Sequence, residues 1–287
     1  MKKLALFLLA EYFMLPLVNA QTWSEGKFML QALEAVLENA TASTQLTSFG
    51  YTDGICFMGG WIDDSGYCSW ETKLVAGTSY QFWGGGDEDA VDLDLFVLDK
   101  SGTILAKDKD ADNSPLVSFT PTTTANYVIK LSLFNCAEFG SFCALATLQK
   151  GANTIPFGNI EDVMQTLEAV GETILEEKDI NLKFMKIENM WSVFGAVIDE
   201  DKEAKISNLV MGQGDRFLVG VTDDNAEVIN VILRTYPGSK MVCSDEEDSK
   251  LAAVRCKTTE KDKYQLTIKN AGSDGKSLMI AAIFDLE

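Results

Sequence analysis

Residues 92–108, DLDLFVLDKSGTILAKD, contain the pattern that decides the fold. Side chains of a β-strand alternate between its two faces, so a strand that starts at Asp92 places Leu93, Leu95 and Val97 on one side. The sequence DKSG then predicts a turn into a second short apolar run. We therefore expect a β-hairpin that covers a core with one face and meets water with the other.

Similar short runs recur along the chain at intervals of roughly ten residues. They include LVSF (116–119), NYVIKL (126–131), CALATL (143–148) and LKFMKI (182–187). No helical pattern separates consecutive runs within a half of the chain, which argues against a parallel α/β fold, because parallel strands need crossover connections. Many short strands joined by turns predict antiparallel β-sandwiches.

Short segments match in the same order in the two halves of the chain. The matches include LEAV (33–36) with LEAV (167–170), FMGGWIDD (57–64) with VFGAVIDE (193–200), and LVAG (74–77) with LVMG (209–212). The offset stays between 134 and 137 residues. A constant offset favours a duplicated unit over chance matches between apolar strings.

Each half opens with a helical pattern. In the first half, Thr22 and Glu25 have the spacing of a capping box. In the second half, Asn159 is a suitable N-cap residue. Apolar residues recur on one face of both segments, as expected for helices that pack on their own domains.

The predicted fold is therefore mainly β, with two tandem antiparallel β-sandwich (jelly-roll-like) domains, each preceded by an N-terminal α-helix. The predicted segments are a signal peptide (1–20), a first repeat (21–150), a linker (151–158) and a second, divergent repeat (159–287).

The first repeat also resembles a known family. The order GTSYQF (77–82), DLDLFVLDKSGTILAKD (92–108) and PLVSFTPTTTANYVIKL (115–131) is similar to the bacterial pre-peptidase C-terminal (PPC) domain, whose members share a DxDL strand, a D..G hairpin and a strand leading into FTP. The resemblance covers residues 72–148, and more loosely 207–285. It implies a small β-sandwich appended to secreted enzymes, usually non-catalytic, with roles in substrate binding, secretion or calcium binding. No peptidase domain accompanies it here.

Residues 1–20, MKKLALFLLAEYFMLPLVNA, have the layout of a secretory signal peptide. Two lysines precede an apolar stretch that is short for a transmembrane helix, and Glu11 interrupts it. An uncleaved anchor is the alternative. We expect a bacterial protein that is secreted, or held in the periplasm or at the cell surface, with no membrane insertion after cleavage.

Six cysteines in an exported chain predict disulfides. Six cysteines allow fifteen connectivities. Their spacing suggests three local pairs, Cys56 with Cys68, Cys136 with Cys143, and Cys243 with Cys256. Zinc is a poor alternative, because the chain has no histidine and no CxxC pair.

The chain is strongly acidic, with a formal net charge of −19. Binding to nucleic acid or to anionic lipid needs a basic face that replaces counterions, and the sequence has no Lys/Arg cluster of that kind. Nucleic acid is therefore excluded as a partner.

Acidic residues concentrate in and around the quoted hairpin. The candidate ligands for calcium are Asp87, Asp89, Asp92, Asp94, Asp108, Asp110 and Asp112. Calcium binds six to eight oxygens and suits flexible acidic loops. Two interpretations stay open, a calcium site at one end of the sandwich or a rim of solvated carboxylates. The second half has Val228 and Asn230 in place of Asp92 and Asp94, which favours the rim.

Catalytic motifs are scarce in this sequence. The lack of histidine excludes Ser-His-Asp and Cys-His systems and HExxH metallopeptidases. We therefore expect no enzyme, with a carboxylate-dependent hydrolase of the glycosidase type as the alternative.

Aromatic residues beside the predicted disulfide loops are the other candidates for a site. Tyr51, Tyr67, Trp70 and Trp83 are the candidates for contact with a ligand, and core packing is the commoner explanation for such residues. The predicted function is a secreted, non-catalytic binding or structural module that engages a protein or a glycan, with calcium as a candidate stabilising ion. The remaining alternative is a subunit of an extracellular assembly that pairs through edge strands or through the N-terminal helix.

Overall fold

The computed structural model describes residues 23–178, 180 and 182–286. The predicted signal peptide and Thr22 of the predicted capping box lie outside these residues. The predicted fold class is confirmed, because the chain is mainly β, has antiparallel sheets, and carries one helix at the start of each half. No helix in the described ranges is both long enough and apolar enough to cross a membrane.

The first half of the described chain contains one helix and nine strands. Their bounds are α1 Ser24–Leu46, β1 Phe49–Tyr51, β2 Gly54–Asp63, β3 Tyr67–Leu74, β4 Tyr80–Gly86, β5 Ala90–Leu98, β6 Ile104–Asp108, β7 Leu116–Phe119, β8 Ala125–Cys136 and β9 Gly140–Lys150. The second half has the same number of elements over its described residues. Their bounds are α2 Phe157–Lys178, β10 Leu182–Phe184, β11 Val193–Ile198, β12 Glu203–Met211, β13 Gly214–Thr222, β14 Ala226–Thr235, β15 Met241–Asp245, β16 Leu251–Thr258, β17 Asp262–Ser273 and β18 Ser277–Leu286.

Each half has an inner sheet, which faces the helices, and an outer sheet. The inner sheets have the orders β1-β9-β4-β7 and β10-β18-β13-β16, with β2 added to β9 and β11 added to β18. The outer sheets have the orders β3-β8-β5-β6 and β12-β17-β14-β15. The strand order of the first half therefore recurs in the second.

The strand register also recurs. Phe57 faces Ala146 across β2 and β9, and Val193 faces Ala282 across β11 and β18, so both members of the pair lie 136 positions later in the chain. This equivalence relates any residue of the β2–β9 region to a counterpart in the second half.

The two inner sheets meet along their edge strands β2 and β11. The backbone N–H of Ser192 donates to the carbonyl of Gly59 at 2.9 Å. Gly195 lies against the ring of Phe57, and a Cβ atom at this position would overlap that ring. The glycine therefore allows the halves to pack closely.

The molecule has three layers, which are the helices, the joined inner sheets and the outer sheets. One apolar cluster lies between the helices and the inner sheets, and includes Met29 and Leu33 of α1 and Val163 of α2. A second cluster lies between the inner and outer sheets, and includes Leu93 and Leu95. Residues of both halves belong to each cluster, so the two sandwiches share their cores.

Trp23 connects α1 to the second half. The helix begins at Ser24, and Trp23 holds the N-cap position without a side-chain cap. Its indole stacks on Phe184 with ring centroids 5.3 Å apart and donates its Nε1 hydrogen to the carbonyl of Leu182 at 2.7 Å. Gly171 of α2 has no side chain and leaves room for this indole.

The start of α2 differs from the prediction. The helix begins at Phe157, two residues before Asn159. The N–H of Asn159 bonds to the carbonyl of Pro156 at 3.1 Å. Asn159 therefore lies in the first turn and is not the N-cap. Its side-chain amide donates to Asp223 at 3.0 Å instead.

The structure contains one of the three predicted disulfides. Cys243 and Cys256 join β15 to β16, so this bond connects the outer and inner sheets of the second half. The predicted pairs Cys56 with Cys68 and Cys136 with Cys143 are wrong, since all four are free thiols.

The layers explain why the first of these pairs does not form. Cys56 lies in the cluster under the helices and Cys68 in the cluster between the sheets, on opposite sides of the inner sheet. Cys136, at the half-buried end of β8, packs against the cluster that contains Cys143, so the layers do not explain why this second pair is free. The short distance between Cys56 and Cys68 along the chain did not indicate which side of the inner sheet each side chain faces.

Candidate functional site

Asp87, the first of the candidate calcium ligands, is a buried structural acceptor. Its carboxylate accepts hydrogen bonds from the hydroxyl of Ser141, from the N–H of Phe142 at 3.1 Å and from the N–H of Asp89 at 3.1 Å. Burial raises the pKa of Asp87, although these hydrogen bonds oppose the rise. The side chain holds the β4–β5 connection against β9.

The second half contains the same arrangement at Asp223. Its carboxylate accepts from the N–H of Leu278 at 3.1 Å and from the N–H of Asn225 at 3.2 Å. These three residues lie 136 positions after Asp87, Phe142 and Asp89. The sequence analysis missed this role, although DEDA (87–90) and DDNA (223–226) are aligned at the same offset.

The acidic loop after β6 uses its carboxylates to fix its own turn. Asp108 accepts from the N–H of Leu116 at 2.9 Å and from the N–H of Asp110 at 3.1 Å. Asp112 accepts from the N–H of Ser114 at 2.9 Å. These contacts are local side-chain-to-backbone bonds of the kind that aspartate makes in turns.

The strand aspartates Asp92 and Asp94 lie beside this loop. Asp94 is buried, and its carboxylate pairs with the ammonium group of Lys109 at 3.3 Å. Burial and the negative charges of Asp94 and Asp112 raise the pKa of Asp92. Within the described residues, no group of three or more His, Cys, Asp or Glu side chains is arranged to hold a metal ion. Calcium binding therefore stays a prediction, and the described residues contain no preformed cluster of ligands for it.

The four candidate aromatic residues have different surroundings. Tyr51 is fully buried, and its hydroxyl bonds to that of Thr41 at 2.9 Å, so it is not available to a ligand. Trp83 packs against the cluster under the helices. Tyr67 is partly exposed beneath the ammonium group of Lys130, which lies 4.3 Å from its ring. Of the four, Trp70 lines the cleft that is described below.

This cleft, which we call the inter-sheet cleft, lies between the edge strands β3 and β12 of the two outer sheets. Its volume is about 660 Å³, within the range of roughly 300–1,000 Å³ that is usual for ligand pockets. Its lining comes from both halves. The less polar part is formed by Ile55, Trp70, Leu74, Tyr80, Thr147 and Ala204, and the charged part by Asp53, Glu71, Lys73, Glu203, Lys205 and Lys276.

Within the charged part of the cleft, Asp53 pairs with Lys276 and Glu203 pairs with Lys205. Lys276 of the second half donates to Asp53 of the first half at 2.6 Å, and this hydrogen bond lowers the pKa of Asp53. The amide of Asn126, and then Lys100, lower the pKa of Glu71. A general acid needs a carboxyl whose pKa is raised towards neutrality, so these two carboxylates are poorly suited to acid catalysis.

Thr147 is the buried polar residue of the cleft. It is 1% exposed, and its hydroxyl has no hydrogen-bond partner among the described residues. A buried hydroxyl without a partner is costly, and a ligand with a polar group would satisfy it. The cleft therefore combines apolar surface, one free hydroxyl and a charge-balanced rim, which is an arrangement for binding.

Comparisons with known proteins add little to this description. No family model matches the chain, and no curated protein matches it. Among solved structures, it is similar to the PBSX exported protein XepA, with 12% identity, coverage of 80% of this chain and 85% of that one, and a TM-score of 0.26. It is also similar to the N-terminal CBM22-1-CBM22-2 tandem domain of Xyn10C from Paenibacillus barcinonensis, with 11% identity, coverage of 79% and 93%, and a TM-score of 0.23. Likeness at these TM-scores carries no argument about function.

Proposed function

We propose that the chain is an exported, non-catalytic binding module that engages a protein or a glycan, and that the inter-sheet cleft is its binding site. The observation that carries the proposal is the placement of a buried, unpartnered hydroxyl, Thr147, beside Trp70 in a cleft that both halves line. Aromatic side chains with a nearby polar group are common at recognition surfaces.

The charge distribution supports a neutral or mixed-charge ligand. Asp53 with Lys276 and Glu203 with Lys205 balance each other at the rim of the cleft. A polyanion gains nothing from such a rim, and the net charge of −19 repels it.

We also propose that the chain arose by duplication of one unit and that it is exported. The common strand order and the register shift of 136 positions support two copies of one ancestral unit. The disulfide between Cys243 and Cys256 supports an oxidising compartment, because such bonds persist mainly in exported proteins.

Binding to glycan and peptide arrays tests the proposal, with the full chain as the probe. We expect a retained ligand that Trp70→Ala releases and that Phe139→Ala does not. Phe139 is the matched control, since it is 87% exposed and is not part of the cleft lining. The thermal midpoint of each variant shows whether Trp70→Ala is folded. If Trp70→Ala binds the ligand as tightly as the wild type does, the inter-sheet cleft is not the binding site.

A further inference from the structure

The inter-sheet cleft has a counterpart that the chain fills with its own segment. Eight residues, 185–192, connect β10 to β11 in the second half, whereas two residues, 52–53, connect β1 to β2 in the first. We call residues 187–191 the gap-filling segment. It lies between the outer sheets at the opposite end of the gap from the cleft, next to Ser69 of β3 and Val210 of β12.

The gap-filling segment shows which chemistry this gap accepts. The carbonyl of Asn189 accepts a hydrogen bond from the N–H of Ser69 at 3.1 Å, which is a backbone bond at the edge of β3. The thioether of Met190 accepts from the N–H of Val210 at 3.4 Å. Trp191 is buried in the cluster between the sheets, and Met190 packs against it. A backbone carbonyl and two large apolar side chains therefore hold the segment.

The first half lacks these side chains. Gly54 and Ile55 lie 136 positions before Met190 and Trp191, and both line the cleft. A Cβ atom on Gly54 would meet no atom within 4 Å. The first half thus has glycine where the second has methionine, and isoleucine where the second has tryptophan. These smaller side chains leave the corresponding end of the gap open.

The edge of β3 continues into the cleft with the same orientation. The pairing of β3 with β8 has no register shift from Tyr67 to Leu74. The N–H of Ser69 points away from β8, since it bonds to Asn189. Backbone groups of an antiparallel edge strand alternate in direction, so those of Glu71 and Lys73 also point away from β8 and into the cleft.

From this geometry we propose that the inter-sheet cleft binds an extended peptide segment of a partner protein, which adds to the edge of β3 and places an apolar side chain beside Trp70 and Ile55. The inference rests on the proposed function and deepens it by naming the ligand class. The alternating N–H and C=O groups of an edge strand match a peptide backbone, as in other cases of β-strand addition. The cleft-lining part of β3, residues 70–74, leaves room for roughly four to six residues at about 3.3 Å each.

The variant that tests this proposal removes one backbone donor. Proline lacks an N–H and is tolerated at edge-strand positions whose N–H is not used in the sheet, so Lys73→Pro deletes the donor that points into the cleft. Lys73→Ala is the matched control, because it removes the same side chain and keeps the N–H. The probe is a display library of random octapeptides that includes the chain's own sequence MKIENMWS (185–192).

We expect peptides to be enriched on the wild-type chain. Lys73→Pro should weaken their binding about five- to tenfold, the usual effect of one lost hydrogen bond, while Lys73→Ala stays within about threefold. Equal binding by the two variants, or no enriched peptide, would overturn the inference. If Lys73→Pro does not fold, the backbone amide NMR shifts of the wild-type chain provide the test. Signals of Glu71 and Lys73 that stay unchanged when peptide is added would contradict the peptide inference.

A parallel arm with neutral oligosaccharides separates this inference from the proposed function. Oligosaccharide binding that Trp70→Ala abolishes, with no peptide binding, contradicts the peptide inference and leaves the binding module in place. No binding of either class contradicts both.

Discussion

At the scale of single residues, burial decides what each aspartate does. Asp87 and Asp223 are 4% and 3% exposed and accept backbone N–H groups at equivalent positions of the two halves. Asp110, which has the same chemistry, is exposed. An inventory of carboxylates along the chain therefore mixes structural acceptors with solvated side chains.

Replacement of the buried carboxylates should destabilise both halves alike. Asp87→Asn and Asp223→Asn each place an amide where at least three donors need acceptors, so we expect the free energy of unfolding to fall by about 1–3 kcal/mol. Urea denaturation measures this, with Asp110→Asn as a nearly neutral control. A similar loss in Asp110→Asn would show that the effect is one of net charge.

The free thiols should differ in reactivity. Burial raises the pKa of Cys56, Cys68 and Cys143, and the thiolate is the reactive form. Burial raises the pKa of Cys136 as well, but this side chain is only half-buried at the end of β8 and is therefore the most accessible of the four. We expect iodoacetamide at neutral pH to modify Cys136 first and the other three only after unfolding, as measured by peptide mass mapping. Early modification of Cys56 would contradict the packing described here.

At the scale of elements, the contact between β2 and β11 depends on glycine. Gly195 faces the ring of Phe57, and its absence of a side chain lets the two edge strands approach. The sequence alignment places Gly195 opposite Gly59, and both lie at this junction. Because β2 and β11 cover each other at this junction, neither strand is left as an exposed edge.

A methyl group at this junction should be costly. Gly195→Ala forces Phe57 or the strands to move, and we expect a loss of about 1–3 kcal/mol in the free energy of unfolding, as in other overpacked cores. Gly212→Ala is the control, since a Cβ atom there meets nothing within 4 Å. Equal midpoints in chemical denaturation for the two variants would show that the junction can open without cost.

At the scale of the whole molecule, the halves share both apolar clusters and are joined by Trp23. We therefore expect one cooperative unfolding transition in calorimetry, with agreement between the calorimetric and van't Hoff enthalpies. Trp23→Ala should lower the free energy of unfolding by about 3–5 kcal/mol, the usual cost of removing a buried tryptophan. Two resolved transitions in the wild type would mean that the halves are independent domains.

Calcium should have little effect on the stability of the whole chain. Of the candidate carboxylates, Asp87, Asp108 and Asp112 bond to backbone N–H groups and Asp94 pairs with Lys109, and the described residues offer no cluster of ligands. We expect the same thermal midpoint with calcium and with a chelator. A rise of several degrees with calcium would show that ligands assemble on binding, and would restore the calcium interpretation.

The sequence predicted the parts of the fold that depend on local pattern. Alternation placed Leu93, Leu95 and Val97 in the core, where they are fully buried. Spacing failed as a guide for Cys56 and Cys68, because short separation along the chain does not report which side of a sheet a residue faces. Position beside a predicted disulfide loop failed as a guide for Tyr51, whose burial depends on α1. The inter-sheet cleft was not predicted, although Trp70 was a candidate and lines it.

The amino-acid sequence by itself determined the fold class, the two successive helix-and-strand units and the exclusion of histidine-based catalysis, because periodicity, turn residues and composition act over a few neighbouring positions. Only the tertiary structure decided that the inner sheets join through β2 and β11, that Cys56 and Cys68 face different layers and that a cleft opens beside Gly54. These outcomes depend on contacts between residues more than a hundred positions apart, and local pattern carries no information about such contacts.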